Sequence, residues 1–405
     1  MPTHTYPGVY VEEVPPLPRT ISGVETSVAA FVGRTPKGPL AAAADGPVLV
    51  DSLGAFEREF GAVDTACPLT IAVRDFFSNG GAHALVLRLH AGAQAGEAGP
   101  PLQDGHYLGD RVAMTGLHAL RKVKAFDLLC IPPDSIDGDT TPAVYQAALA
   151  LCVERGAMLL IDPPAAWNDR ADLLREGVQA TAILGMDGLA ARNVALYVPR
   201  LRQPHPTKSG LTLDCVPCGA VAGVMARTDA SRGVWKAPAG LDADVRGVIG
   251  LSLALTDADS DVLNPAGLNC LRTFPGHGTV VWGARTLRGA DGNADDYKYV
   301  PVRRTALFIE HSVQRGIAWA AFEPNGEPLW AQLRLVVGGF LQALFRAGAF
   351  QGASPRDAYF VHCDASTQTQ AEMDQGLCRV MIGFAPLKPA EFIVLQVSQV
   401  TRDGQ

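Results

Sequence analysis

The chain has 405 residues, 48% of them hydrophobic, with 42 glycines, 29 prolines and a net charge of −7 at pH 7. That is enough apolar material for two or three cored domains, and Gly and Pro without a period or a low-complexity tract read as tight connections in an ordered protein. Basic residues never run beyond a pair or triplet, so the chain lacks the basic patch of a nucleic-acid groove, and no nucleic-acid partner is expected.

The first predicted element is a strand-like stretch, "YPGVYVEEV" (6–14), which "PPLP" cuts off from the rest of the chain. "ISGVETSVAAFVGRTPKGPL" (21–40) reads as strand and turn, broken by Gly33, Pro36, Gly38 and Pro39. "DSLGAFEREFG" is a short helix that Asp51 or Ser52 can cap, with Leu53, Phe56 and Phe60 on one face and Gly61 as its stop. "PLTIAVRDFFSNGG" repeats the design, from Pro68 to Gly80 and Gly81, with Leu69, Val73, Phe76 and Phe77 as its stripe.

A regular alternation comes next. "ALVLRL" (84–89), "FDLLCI" (126–131), "AMLLID" (157–162) and "VALYVP" (194–199) are the continuous apolar runs of strands buried on both faces. Helical segments such as "TPAVYQAALALCVERG" and "NDRADLLREGVQATAILG" lie between them, so the order predicts a parallel sheet with right-handed crossovers. "LRQPHPTKSG" (201–210) is the expected internal boundary, and the remainder reads as α+β. There "TALFIEHSVQRGIAW" carries Ile309, Val313 and Ile317 four apart, and "PLWAQLRLVVGGFLQALFRAG" (328–348) places Trp330, Leu333, Val337, Phe340, Leu341 and Leu344 at helical spacing. "EFIVLQVSQVT" closes the chain as a strand-like segment. The fold class expected is therefore α/β plus α+β: an N-terminal arm at 1–20, a parallel-sheet α/β domain at 21–205, a C-terminal α+β core at 206–388 and a strand-like arm at 389–405.

No uninterrupted apolar stretch approaches the ~18 residues of a membrane span, and the N-terminus shows neither a basic n-region nor an apolar h-region. No membrane insertion and no signal peptide are expected, and synthesis in the bacterial cytoplasm is. The eight cysteines lie mostly in apolar sequence and read as buried, reduced thiols.

Motifs for catalysis fail on inspection. "GRTPKGPL" has the glycine spacing of a phosphate loop, but Lys37 precedes Gly38 and Pro39 and Leu40 stand where the metal-binding hydroxyl belongs; it reads as a turn. "CVPC" (215–218) lacks a second pair for zinc, and two buried thiols near a helix start are preferred to a redox site. "DADSD" (257–261) starts like a calcium loop, but Val262 and Leu268 stand where Gly and Glu are needed, and Asp257 is expected to cap a helix instead. In "HCD" (362–364), His362 and Cys363 would face opposite sides of a strand. Asp134 and Asp162 come just after strand C-termini, where open α/β sheets bind ligands, but without a phosphate-gripping glycine loop they read as helix caps. No catalytic residue, metal or cofactor is expected. The alternative class is an α/β hydrolase or oxidoreductase working through Asp162 or the Cys215 and Cys218 pair.

A terminal strand held off by prolines exposes unpaired backbone groups, a hazard unless a neighbouring edge takes them up. If every subunit gives and receives such strands, the contact is heterologous and propagates. The ordinary alternative is that the two ends pair within one chain. Here the sequence resembles contractile tail sheath proteins. "YPGVYVEEV" with "ISGVETSVAAFVGRTPKGP" looks like their start, as do "GVWKAPAG" (233–240), "LNCLRTFPGHGTVVWGARTL" (268–287) and "YVPVRRTALFIEHSVQRGIAWAAFEPNGEPLW" (299–330) in their places. "AYFVHCDASTQTQAEMDQGLCRVMIGFAPLKPAEFIVLQVSQ" (358–399) is similar to their end, where a Cys-Asp and a Pro-Ala-Glu-Phe-Ile run precede the last strand.

The resemblance implies a non-enzymatic subunit of a phage tail, tailocin or extracellular injection particle. Copies of it would form six-fold rings stacked into a helical sheath around an inner tube protein, between baseplate and terminal cap proteins. It implies that Tyr6, Val9, Tyr10 and Val11 carry a donated N-terminal strand, and Phe392, Val394, Leu395 and Val397 a C-terminal one. It also implies that the 328–348 helix faces the tube, with Arg334, Gln342 and Arg346 outward. One middle domain in so short a chain points to a compact tailocin-like or extracellular particle.

Overall fold

In a computed structural model, residues 19–39, 46–92 and 96–391 are described. They divide into two compact units: Val24–His311 with the residues from Pro386, and Ser312–Ala385 with those up to Gly23.

The first unit is built on an eight-stranded sheet. Its strands are β1 (Ala29–Gly33), β2 (Val48–Val50), β3 (Ala84–Arg88), β4 (Leu128–Cys130), β5 (Met158–Ile161), β6 (Val194–Val198), and, after the strands β7 (Leu201–Pro204), β8 (Thr212–Cys215) and β9 (Gly250–Leu251), β10 (Asn269–Phe274) and β11 (Gly278–Val281). The order is β11-β10-β6-β5-β4-β1-β3-β2, parallel except at the two edges, where β2 and β11 run antiparallel to their neighbours. All four expected runs lie in this sheet. They are continuously apolar because both faces are covered: Ala30, Val32, Leu85, Leu87, Leu159 and Ile161 enter one core, and Ala29, Phe31, Ala84, Val86, Met158 and Leu160 the other.

The Pro142–Arg155 helix packs into the first core, and the Pro68–Ser78 and Cys218–Arg232 helices into the second. Those last two helices touch backbone to backbone: a Cβ on Gly219 would lie 2.0 Å from the Ala72 carbonyl oxygen. Ser52 caps the Leu53–Phe60 helix by accepting from Ala55 N, and Gly61 comes at its end, as the sequence suggests. The cap of the Asp257–Leu263 helix is one residue earlier than expected. Thr256 accepts from Asp259 N, Asp259 returns the bond in a capping box, and Asp257 instead pairs with Arg272 at 2.9 Å.

The expected boundary at 201–210 falls on a hairpin. β7 pairs antiparallel with β8 and β9, and β10 returns beside β6, so the chain through His311 keeps adding to one unit. The prolines and glycine of "LRQPHPTKSG" make a turn there, a role their composition does not separate from a linker.

The second unit contains the Glu327–Arg346 helix and an antiparallel pair, β12 (Tyr359–His362) and β13 (Met381–Phe384). Leu329, Trp330, Leu333 and Cys363 form its core, with Ile317, Trp319, Met373 and Val380 packed against it. The helix has 20 residues and, by length and composition alone, could cross a membrane. Reading its glycine pair and charges as interruptions understated this span, but its Leu329, Leu333, Val337, Phe340, Leu341 and Leu344 stripe is buried within the protein.

Candidate functional site

The carboxylates at the strand ends are structural in their contacts. Asp134 accepts from Arg34 Nε at 2.9 Å and from Leu102 N at 2.8 Å. Asp162 is buried at the end of β5, and its Oδ1 accepts from Cys218 N at 2.9 Å, so it closes the start of the Cys218–Arg232 helix. Burial pushes its carboxyl up to about 7, and its Oδ2 has no hydrogen-bond partner. The cavity it shares with Tyr145 and Arg200 measures about 20 Å³, room for about one water and none for a substrate. Cys215 and Cys218 are buried, and burial pushes the first thiol up to about 12 and the second well above the usual range, the reverse of a reactive pair. Among the described residues, no three or more His, Cys, Asp or Glu are grouped to hold a metal ion.

The better-built sites are the roots of the two terminal segments. At the C-terminal root, Arg285 has no exposed side-chain surface and grips Glu391 through Nε to Oε1 at 2.8 Å and Nη2 to Oε2 at 2.6 Å. The Tyr299 hydroxyl donates to the same carboxylate at 3.1 Å. Arg285 Nη1 donates to the Asn264 carbonyl at 2.7 Å and to Asp291 at 3.1 Å. A planar guanidinium meeting a carboxylate edge-on fixes direction as well as position. Glu391 is thus held one residue before Phe392, the first residue of the expected C-terminal strand.

At the N-terminal root, the Arg19 guanidinium lies 3.8 Å from the centre of the Trp319 ring and reaches Glu323 at 3.8 Å. Ile21 crosses the end of the Val300–Gly316 helix where only glycine leaves room, since a Cβ on Gly316 would come within 2.5 Å of its side chain. The expected strand residues themselves, Tyr6, Val9, Tyr10 and Val11 at one end and Phe392, Val394, Leu395 and Val397 at the other, lie outside the described residues.

On the Glu327–Arg346 helix the three expected outward side chains differ. Arg346 is exposed. Arg334 is half-buried, bonded to Glu327 at 2.5 Å and to the Cys363 carbonyl, and Gln342 accepts from the Tyr359 hydroxyl at 2.8 Å. Two of the three are therefore engaged within their own unit, which helical spacing alone does not reveal. The exposed row is instead Gln332, Leu335, Gly339, Ala343 and Arg346, with one charge and with Leu335 76% exposed.

Two family models match: the phage tail sheath protein central domain over residues 109–287 and the phage tail sheath C-terminal domain over 293–399. The helical sheath of the anti-feeding prophage in its contracted state is 31% identical, with 98% of this chain and 100% of that chain covered at a TM-score of 0.74. The chain belongs to the contractile tail sheath family. The sheath of the extracellular contractile injection system PVC, also contracted, is 27% identical over 98% of this chain and 99% of that one, at a TM-score of 0.73. The tail sheath protein of Vibrio phage KVP40 is 25% identical over 187 residues, 46% of this sheath chain. That match spans about a quarter (26%) of the phage protein's length. In sheath terms, the Arg285 and Glu391 clamp joins the region of the central-domain model to the end of the C-terminal one.

Proposed function

We propose that this chain is a structural, non-catalytic subunit of a contractile injection machine. Copies stack as six-fold rings around an inner tube, above a baseplate and below a terminal cap, and contraction drives the tube through a target envelope. The observation that carries this reading is the match along essentially the whole chain, 98% of it, to the anti-feeding prophage and PVC sheaths. On this reading the particle is made in the bacterial cytoplasm and is of the compact, tail-like kind.

In this reading residues 1–20 and 389–405 are the arms. Tyr6, Val9, Tyr10 and Val11 pair with one neighbour's sheet edge and Phe392, Val394, Leu395 and Val397 with another's. "PPLP" spaces the first arm from its body, and Glu391 on Arg285 sets where the second departs. The 21–205 and 206–388 segments supply the body of the subunit within the ring. The Glu327–Arg346 helix faces the tube with Arg346 outward, Arg334 and Gln342 steadying it from within its unit. A row with a single exposed leucine, Leu335, among Gln332, Gly339, Ala343 and Arg346 suits a grip that must release, because its apolar area is small.

Negative-stain electron microscopy of the full chain with its tube partner, beside a chain lacking residues 1–18, tests the reading. Striated tubes from the first and folded, unassembled protein from the second are expected. Uniform small particles from both, with tube present, would overturn it.

A further inference from the structure

We propose that Cys363 and Cys378 form a modification site, a dithiol that closes to a disulfide on meeting an oxidised glutathione-type disulfide. Their sulfurs are 3.9 Å apart, and all eight cysteines are free. Cys363 is buried just beyond β12, while Cys378 is the one exposed cysteine. Bond formation asks the sulfurs to close to about 2 Å from a starting point already in contact.

The approach is held by the surrounding loop. Gln368, itself buried, donates from Nε2 to the Arg379 carbonyl at 2.7 Å and accepts at Oε1 from Arg379 N at 2.9 Å. The same Nε2 lies 3.9 Å from the Cys363 sulfur, so one amide fixes the residue after Cys378 against Cys363. Between the cysteines, Asp364 and Thr367 close a turn, and Thr369 and Glu372 box the start of the Gln370–Asp374 helix. The loop thus holds the two thiols in contact, with about 2 Å left for the sulfurs to close.

The exchange runs in two steps. The Cys378 thiolate attacks one glutathione sulfur, breaks the glutathione disulfide and releases one glutathione, which takes up a proton. The Cys363 sulfur, losing its proton, then attacks the Cys378 sulfur and releases the second glutathione. Two protein thiols are oxidised, and one glutathione disulfide is reduced to two thiols. Burial pushes the Cys363 thiol up to about 12, which makes the second step the slower one at neutral pH.

The product would lock a loop that grips the start of the Glu327–Arg346 helix at both ends. The Cys363 carbonyl accepts from Arg334, and the Leu377 carbonyl accepts from Asn325 Nδ2 at 2.9 Å. Asn325 Oδ1 in turn accepts from Trp330 Nε1 at 2.8 Å. A bridge between Cys363 and Cys378 therefore stiffens the frame of that helix under oxidising conditions. The inference rests on these side chains and not on the chain's assembly.

The test treats the folded, full-length protein with oxidised glutathione, blocks remaining thiols and maps the peptides by mass. The expected result is a loss of two hydrogens, two fewer titratable thiols, one peptide pair joined through Cys363 and Cys378, and slower amide exchange across 364–377. Cys363→Ser should stop at a stable glutathione adduct on Cys378, and Cys378→Ser should resist the reagent. A wild-type protein that halts at the Cys378 adduct, joins two chains through Cys378 or leaves Cys378 unmodified would overturn the proposal. The wild-type map decides even if a variant fails to fold.

Discussion

The clamp at the C-terminal root gives the sharpest test. Glu391→Ala removes both oxygens that Arg285 Nε and Nη2 reach at 2.8 and 2.6 Å, while Nη1 keeps the Asn264 carbonyl and Asp291. Arg285 is fully buried and Glu391 only 16% exposed, so water replaces the lost acceptors poorly. Breaking a buried pair costs about 3–5 kcal/mol, and each stranded donor about 1–3 kcal/mol. Since Asp291 still neutralises the same guanidinium at 3.1 Å, the low end applies, about 3 kcal/mol. For a unit of this size that is a fall in Tm of roughly 6 °C. Glu391→Gln keeps one acceptor and should lose roughly half as much. Calorimetry gives the Tm, and amide exchange across 386–391 should rise in the alanine variant. A shift equivalent to less than about 1 kcal/mol, with exchange unchanged, would refute the reasoning, because that is the worth of an exposed ion pair.

Two further outcomes come from buried groups. Asp162 has a folded pKa of about 7 against an ordinary 3.8, so the native state holds its proton more tightly than the unfolded chain does. The stability this contributes is full at acid pH and falls as pH rises between those two values, by up to about 4 kcal/mol. Asp162→Asn keeps the acceptor for Cys218 N and should flatten that slope by up to about 1.4 kcal/mol per pH unit in denaturant titrations at pH 5, 6 and 7; an unchanged slope would assign the pH dependence elsewhere. Asp127, also pushed up to about 7 by burial, stays in both proteins and adds the same sign. Gly219→Ala drives a Cβ to within 2.0 Å of the Ala72 carbonyl oxygen and should cost about 3 kcal/mol or yield insoluble protein. Gly339→Ala, with nothing within 4 Å of its Cβ on a helix, should be neutral or stabilise by up to about 1 kcal/mol in the same melts.

Much of the fold was legible because the parallel strands carry one strong signal. A strand covered on both faces must be apolar at every position, and runs such as "ALVLR" and "VALYV" satisfy that and little else. β10 was not legible. "NCLRTF" carries Arg272, Thr273 and Asn269, and its place beside β6 depends on pairing across the chain rather than on its own pattern. The candidate site was readable only in part. Arg334 and Gln342 fall off the apolar stripe, which sequence equates with facing outward, yet Glu327 and Tyr359 engage them. Glu391 sits between apolar neighbours in "PAEF", an isolated charge that could have prompted a search for a buried partner. Arg285, in "WGARTL", offers the same hint, but nothing in the sequence says that the two meet across 106 positions.

On the proposed reading the two roots are unequal, and that inequality comes from burial. A pull on the C-terminal arm reaches Glu391, then Arg285, then the sheet itself, because Asn269 in β10 accepts from Arg285 N at 2.6 Å and donates to its carbonyl at 2.8 Å. The same Asn269 amide donates to the Leu196 carbonyl in β6 at 3.2 Å, so the load path ends in the middle of the eight-stranded sheet. The Arg285 and Asn269 links are buried and Glu391 keeps only 16% of its side chain exposed, so its charge-assisted bonds lose little to competing water. The N-terminal segment meets buried groups only further in, at Thr26, whose hydroxyl donates to Asp229 at 2.7 Å and whose carbonyl accepts from Arg304 at 2.8 Å. Arg19 and Glu323 are 45% and 43% exposed, which makes their pair worth less than about 1 kcal/mol, and the stacking on Trp319 adds about as much again. On this reading a pull on the N-terminal arm frees the Arg19 contacts first and is then borne at Thr26, whereas a pull on the C-terminal arm is borne at Glu391 from the start.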